Sequence, residues 1–318
     1  MQPRTAVDAV GGVAAWRGPD MLGRTEWIAE LRPEQIDDLR RADTDLGDEA
    51  VSFGARRRGA LPSLVALSEI CRSELVHGRG FIVLRGLPVE FMTASEHERA
   101  LWLIGLYVGI PVRQNPAGDL LVHVRDEGRD YTDPHVRGYQ TAAKLDFHVD
   151  GCDAAALMCV RAAKQGGTST IVSAVSIHDE IVRQRPDLAT LLYEQFWFDR
   201  RSGDGPESFY QLPVFTRATG RLTMYYGRSY LESAQRGPHS QKLTSAQMEA
   251  FDLIDELANW AELVLPMDLK PGDVQLLDNR VIMHARTAFE DWPEPERRRD
   301  MIRLWLSLDD GQPSPMAP

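Results

Sequence analysis

A histidine and an aspartate stand two residues apart in Lys144-Leu-Asp-Phe-His148-Val-Asp150-Gly, where they can offer an imidazole and a carboxylate to one metal ion. A second histidine closes the segment Pro271-Gly-Asp-Val-Gln-Leu-Leu-Asp-Asn279-Arg-Val-Ile-Met-His284. Two imidazoles and one carboxylate leave coordination positions open for substrate and oxygen, the ligand set of non-haem iron(II) oxygenases; zinc more often takes a closed or nearly closed tetrahedron. Arg299 opens the apolar stretch Arg299-Asp-Met-Ile-Arg303-Leu-Trp-Leu. It could hold the far end of a dicarboxylate co-substrate, because a planar guanidinium takes a carboxylate bidentately and stays charged when partly buried.

Strand alternation must position these groups. On a strand over 145–150, Leu145, Phe147 and Val149 share one face, and Asp146, His148 and Asp150 share the other, so the apolar trio can pack while the polar trio lines a cavity. Lys144 and Asp146 flank the motif and can pair with each other. Over 299–306 the alternation sets Ile302, Leu304 and Leu306 against Arg299, Met301, Arg303 and Trp305. Asp291-Trp-Pro-Glu-Pro-Glu-Arg-Arg reads as an exposed turn, so the strand carrying Arg299 is expected to return antiparallel beside His284. The other histidines (His77, His97, His123, His135, His178 and His239) read as capping, surface or packing residues, and Cys152 as a small buried thiol.

Further strands are expected over 81–85, 120–125, 156–161, 169–173, 210–216, 222–226, 274–277 and 281–285. Helices are expected over 62–76, after the capping box Thr93-Ala-Ser-Glu96 and after Thr244-Ser-Ala-Gln247. Regular βα alternation and phosphate-binding glycine loops are absent, which disfavours nucleotide-binding α/β folds. The pattern predicts a mainly β protein with flanking helices around a jelly-roll, cupin-like core. One domain spans 1–318, with a helical N-terminal elaboration over 1–79, the core with inserted helices over 80–308 and a tail over 309–318.

The chain has 318 residues, 43% of them hydrophobic, enough to bury one substantial core. Its 36 basic and 47 acidic residues give a net charge of −11 without a long basic run, which argues against nucleic acid or an anionic membrane and for a small-molecule substrate. A homo-oligomer is compatible with this composition. Three cysteines without CxxC spacing fit a reducing cytoplasm, and no segment reads as a signal peptide or membrane span.

Together, Gly80-Phe-Ile-Val-Leu-Arg-Gly86, Phe147-His148-Val-Asp150, Gly166-Gly167-Thr-Ser169, Pro271-Gly-Asp273, Asp278-Asn-Arg280 with His284, and Arg299 four residues before Arg303 resemble the TauD/TfdA (taurine dioxygenase-like) family of Fe(II)/2-oxoglutarate-dependent oxygenases. The resemblance spans roughly 80–308. It implies a double-stranded β-helix, iron bound by His148, Asp150 and His284, and the distal carboxylate of 2-oxoglutarate on Arg299. The hydroxyl partner of that carboxylate falls at Ser169, with Thr168 and Thr170 on either side. Retention of Asp150 argues for oxygen chemistry over the chlorination of relatives that lack this carboxylate. The implied reaction consumes O2 and 2-oxoglutarate, releases succinate and CO2, and oxidises an unactivated C–H bond. Hydroxylation is the default outcome; desaturation, cyclisation and epoxidation are alternatives.

The charges of iron(II), Asp150, 2-oxoglutarate and Arg299 cancel, which leaves Arg303 over. A buried unpaired guanidinium is costly, so Arg303 is expected to face a carboxylate of the substrate, such as an amino acid or natural-product intermediate, or else an internal acid such as Asp146. Gln114, Asn115 and Tyr226 are further candidates for substrate contact. Rival readings are a cupin-like zinc or manganese enzyme, which would not need Arg299, and a non-catalytic binding protein, which would be expected to have lost a ligand.

Overall fold

A computed structural model describes residues 7–41, 61–115, 117–130, 136–200, 205, 208–218, 220–237 and 242–308. His135, His239 and the 309–318 tail lie outside them. The major sheet runs, in spatial order, β1 (Ile28–Glu30), β2 (Phe81–Arg85), β14 (Val274–Asp278), β6 (Ala154–Arg161), β17 (Asp300–Ser307) and β3 (Ile110–Val112), with β4 (Leu121–Val124) also paired to β17. The minor sheet runs β13 (Leu265–Met267), β8 (Ser169–Ser173), β15 (Ile282–Arg286) and β5 (Leu145–His148). Three two-stranded ribbons complete the β structure: β7 (Gln165–Gly166) with β16 (Phe289–Glu290), β9 (Phe196–Asp199) with β10 (Phe209–Leu212), and β11 (Phe215–Ala218) with β12 (Arg221–Met224). This is the expected jelly-roll core with added helices.

Two expectations about strands change. The strand over 210–216 breaks at Pro213, which has no N–H for a ladder, and becomes β10 and β11. The strand that follows Arg299 does not pair beside His284. β17 lies between β6 and β3 in the major sheet, whereas β15 lies between β8 and β5 in the minor one. The short link over 291–298 therefore crosses from one sheet to the other, and Arg299 and His284 line one cavity from different sheets.

Two cores hold the sheets. Ile82, Leu84, Met158, Ile302 and Leu304 of the major sheet pack with the helices Pro62–Val76 and Ala94–Val108. Ile171, Val172, Ile282 and Met283 of the minor sheet pack with the helices Ala174–Gln184 and Ser245–Ala258. Reciprocal caps at Thr93/Glu96 and Thr244/Gln247 start two of these helices where the sequence placed them. Arg85 holds buried Asp273 through two hydrogen bonds of 2.9 and 2.8 Å, which ties β2 to the turn before β14. Cys71, Cys152 and Cys159 are buried and free. Among the described residues, no helix is long and apolar enough to cross a membrane.

Candidate active site

Antiparallel pairing of β15 with β5 sets His284 directly opposite His148, with ring centroids 4.5 Å apart. Past the end of β5, the backbone N–H of Val149 donates to the Tyr226 carbonyl at 2.9 Å, and that of Asp150 donates to Asn279 Oδ1 at 3.3 Å. These two bonds bring Asp150 back over the histidine pair. Its Oδ1 lies 3.8 Å from His148 Nε2, and its Oδ2 lies 3.7 Å from His284 Nε2. One ligand atom from each residue lies within 4.8 Å of the other two.

The donor chemistry fits a divalent metal. His148 Nδ1 lies 2.7 Å from the Asp146 carbonyl; donation there leaves the Nε2 lone pair facing inward. Burial, reinforced by neighbouring His148, pushes His284 down to about 3, so its imidazole is neutral at ordinary pH. Burial alone would raise the Asp150 carboxyl, but Arg303 and the two imidazoles outweigh it and hold the group below its usual range. A neutral imidazole at His284 and an ionised carboxylate at Asp150 are protonation states that iron needs.

Asp150 is held from the major sheet. Trp305 Nε1 donates to its Oδ2 at 2.9 Å, and Arg303 Nη1 lies 3.2 and 3.4 Å from its two oxygens. Gln114 Oε1 accepts from Arg303 Nε at 2.8 Å, while Gln114 Nε2 donates to the Leu120 and Arg303 carbonyls. Arg303 also lies over the Tyr139 and Trp305 rings. It is therefore neither free nor paired with Asp146, which forms a 2.8 Å ion pair with exposed Lys144. The partner of Arg303 is the metal-ligand candidate itself.

Arg299 is the buried charge without a counter-ion. It is 4% exposed, its Nη1 donates to the Val124 carbonyl at 3.1 Å, and its guanidinium stacks on Phe289 at 5.0 Å. Among the described residues, no carboxylate lies within ion-pair distance of it. Burial lowers its pKa for that reason. The orphaned guanidinium faces the same cavity as the histidines and has the chemistry to take the distal carboxylate of 2-oxoglutarate. Ser169, alone among Thr168, Ser169 and Thr170, lines that cavity, and its Oγ accepts from Gln275 Nε2 at 3.3 Å.

The cavity holds about 330 Å³ and brings together His148, Asp150, His284, Arg299, Ser169, Arg303 and Gln114. Two other candidates fall outside it. The Tyr226 side chain is fully buried, and its hydroxyl donates to Asp255 Oδ1 at 2.7 Å, which turns it into the helix Ser245–Ala258 and away from the metal. The Asn115 amide closes its own turn, donating to Asp119 Oδ2 at 2.9 Å and accepting from the Asp119 N–H at 3.1 Å. Sequence reasoning missed Gln275, a polar residue between Val274 and Leu276 on an otherwise apolar strand, and gave Trp305 no role. It also missed Arg137, Tyr139, Arg200 and Tyr210, which line the cavity. Inward alternation along β14 could have revealed Gln275; no periodic signal marks the other four.

Residues 42–305 match the model of the family described as "Taurine catabolism dioxygenase TauD, TfdA family". The chain is 31% identical to FR-33289 synthase of Streptomyces rubellomurinus, over 96% of this chain and 92% of that protein. It is 27% identical to the taurine hydroxylase-like protein SAT17 of Stachybotrys chartarum, over 93% and 79%. Among solved structures, it resembles asparagine oxygenase in complex with Fe(II), 2S,3S-3-hydroxyasparagine and succinate (TM-score 0.68, 17% identity, 89% and 94% coverage). It also resembles the non-heme iron oxygenase OrfP with Fe and alpha-ketoglutaric acid (TM-score 0.65, 14% identity, 89% and 94% coverage). The protein belongs to the TauD/TfdA family and is a non-haem Fe(II)/2-oxoglutarate-dependent oxygenase.

Proposed function

We propose that this oxygenase hydroxylates an unactivated C–H bond of a small acidic metabolite, such as an amino acid or a natural-product intermediate, releasing succinate and CO2. The observation that carries this reading is Arg299, a buried guanidinium lacking a carboxylate, in the cavity that holds the His148/Asp150/His284 cluster. Both sheets contribute to that cavity, which supports a single oxygenase domain. In this reading His148, Asp150 and His284 hold the iron, and Arg299 with Ser169 takes the distal carboxylate of 2-oxoglutarate.

Bound iron and 2-oxoglutarate supply the oxidising chemistry; the protein's share is orientation and exclusion. Trp305 and Arg303 occupy carboxylate lone pairs of Asp150 and fix how it faces the metal. Gln275 orients the Ser169 hydroxyl. Phe147, Leu157 and Leu277 line the cavity with apolar surface that keeps water from the reacting centre. An acidic substrate is supported by charge: six arginines line the cavity against four acids, an excess of two positive charges. The product named in the asparagine oxygenase complex is a hydroxylated amino acid, which supports hydroxylation as the outcome.

Anaerobic addition of Fe(II) and 2-oxoglutarate should produce a weak visible charge-transfer band, and His148→Ala should abolish it. Substrate-dependent succinate release across amino acids and acidic metabolites then identifies what is oxidised. Absence of the band in wild type, or its survival in His148→Ala, would overturn the site assignment.

A further inference from the structure

The charges lining the cavity can be settled one by one. Arg303 is matched by Asp150, and Arg228 by Glu232, Asp252 and Asp255 at 2.6, 2.8 and 3.1 Å. Arg299 has the 2-oxoglutarate carboxylate assigned to it above, and Arg286 donates to the Thr141 and Ala143 carbonyls. Among the acids, Asp199 takes Arg236 at 3.0 Å, and Asp146 takes Lys144. Arg137 remains. Its one side-chain hydrogen bond runs from Nη2 to the Arg200 carbonyl at 3.2 Å, and among the described residues no carboxylate lies within 4 Å of it.

The position of Arg137 matters as much as its charge. It directly precedes the one-turn segment Gly138–Gln140, which carries Tyr139, and the Tyr139 ring lies 5.4 Å from the Arg303 guanidinium that holds Asp150. The bond from Arg137 to the Arg200 carbonyl joins this wall to the β9–β10 ribbon. There, Arg200 lies over the Tyr210 ring at 4.3 Å. An unpaired guanidinium, next in sequence to the turn that carries Tyr139, and an aromatic-backed second arginine thus line the same cavity as Arg299 and Ser169. A guanidinium this close to a partly desolvated cavity binds an oxyanion more strongly than it would in water.

We propose that Arg137 recognises the acidic group of the substrate, an oxyanion such as a carboxylate, and so sets specificity in place of Arg303. This inference rests on the acidic-substrate reading given above. Its test uses the full chain loaded anaerobically with Fe(II) and saturating 2-oxoglutarate, titrated by calorimetry with butyrate, propylphosphonate and the neutral butyramide. Formation of the charge-transfer band in each variant verifies that the iron and 2-oxoglutarate half of the cavity is intact.

Wild type should prefer at least one oxyanion over butyramide by about tenfold or more. Arg137→Gln should lose that preference, and Arg137→Lys should keep part of it. The tighter of the two acids identifies the oxyanion. Unchanged oxyanion affinity in Arg137→Gln overturns the assignment. If the preference disappears instead in Arg303→Gln, the acid group sits at Arg303, and the acidic-substrate reading stands without this inference. If wild type binds butyramide as tightly as both acids, the acidic-substrate reading itself fails.

Discussion

Trp305 Nε1 donates a 2.9 Å hydrogen bond to Oδ2 of Asp150, so an indole on the major sheet orients a carboxylate that extends from the minor one. Both groups are buried, which shields the bond from bulk solvent. Hydrogen-bond partners of metal ligands typically contribute about ten- to a hundredfold in metal affinity. Trp305→Phe keeps most of the apolar volume and removes the donor. Anaerobic Fe(II) titration should therefore show a loss of affinity in that range, with a smaller change in the KM for 2-oxoglutarate. Equal iron affinity in the two proteins would mean that Arg303 alone suffices to hold Asp150.

Arg299 makes an opposite pair of demands on the empty and loaded protein. A buried guanidinium with one carbonyl partner costs stability until an anion neutralises it. Arg299→Met should leave the Tm of the metal-free, ligand-free protein equal to wild type or higher. The same variant should raise the KM for 2-oxoglutarate by about a hundredfold or more, as expected for truncating one member of a buried charge pair. Thermal shift should also show the co-substrate's stabilisation of wild type disappearing in the variant. A marked fall in the Tm of the empty variant would show that Arg299 is structural.

The metal cluster was legible because its information is local: strand alternation at His148 and a short motif ending at His284 put three ligands on inward-facing positions. Arg299 was legible by the same alternation. What the chain could not disclose was partner choice. Arg303 had several acids within reach of a plausible fold, and only the packing of β17 against β6 selects Asp150 over Asp146. Tyr226 looked like a cavity residue because it ends a strand, but its hydroxyl goes to Asp255, on a helix that follows much later in the sequence. The short link between His284 and Arg299 suggested a hairpin. A double-stranded β-helix instead sends successive strands to opposite sheets, and loop length alone does not distinguish the two. Arg137 and Arg200 lie on irregular segments, where periodicity carries no signal.

His123 provides a pH dependence through Asp300 and Glu98. Its Nδ1 lies 2.7 Å from Asp300 Oδ1 and its Nε2 3.2 Å from Glu98 Oε1, while Arg161 holds the other oxygen of Asp300 at 3.1 Å. The hydrogen bond to Asp300 raises His123 above its ordinary value despite partial burial and nearby Arg125. Burial would raise Asp300, but the bond to His123 and the charges of His123, Arg161 and Arg125 lower it instead. The histidine's contribution is fully present below its unfolded pKa of about 6.5 and is lost as pH rises through the higher folded value. The aspartate's is present above about 3.9 and is lost as pH falls through the lower folded value. Denaturant unfolding of wild type and His123→Gln should therefore differ most between about pH 4 and 6.5 and converge on the alkaline side. A difference that stays constant from acid to alkaline pH would exclude an ionic role.

Gly167 connects the glycine pair of the family motif to the co-substrate site. Its φ of +71° lies where side chains other than glycine are strained, and a Cβ there would stand 3.2 Å from Arg299 Nε and 3.3 Å from Phe289 Cβ. Arg299 can yield only by leaving its stack on Phe289 or its bond to the Val124 carbonyl, both of which aim the guanidinium. Gly167→Ala should thus cost about 1–3 kcal/mol of stability from backbone strain. It should also raise the KM for 2-oxoglutarate while leaving Fe(II) affinity near wild type, because the metal cluster sits on β5, the residues just after it and β15, and not on this turn. If stability falls but the 2-oxoglutarate KM does not move, the glycine serves the turn alone and Arg299 tolerates the displacement.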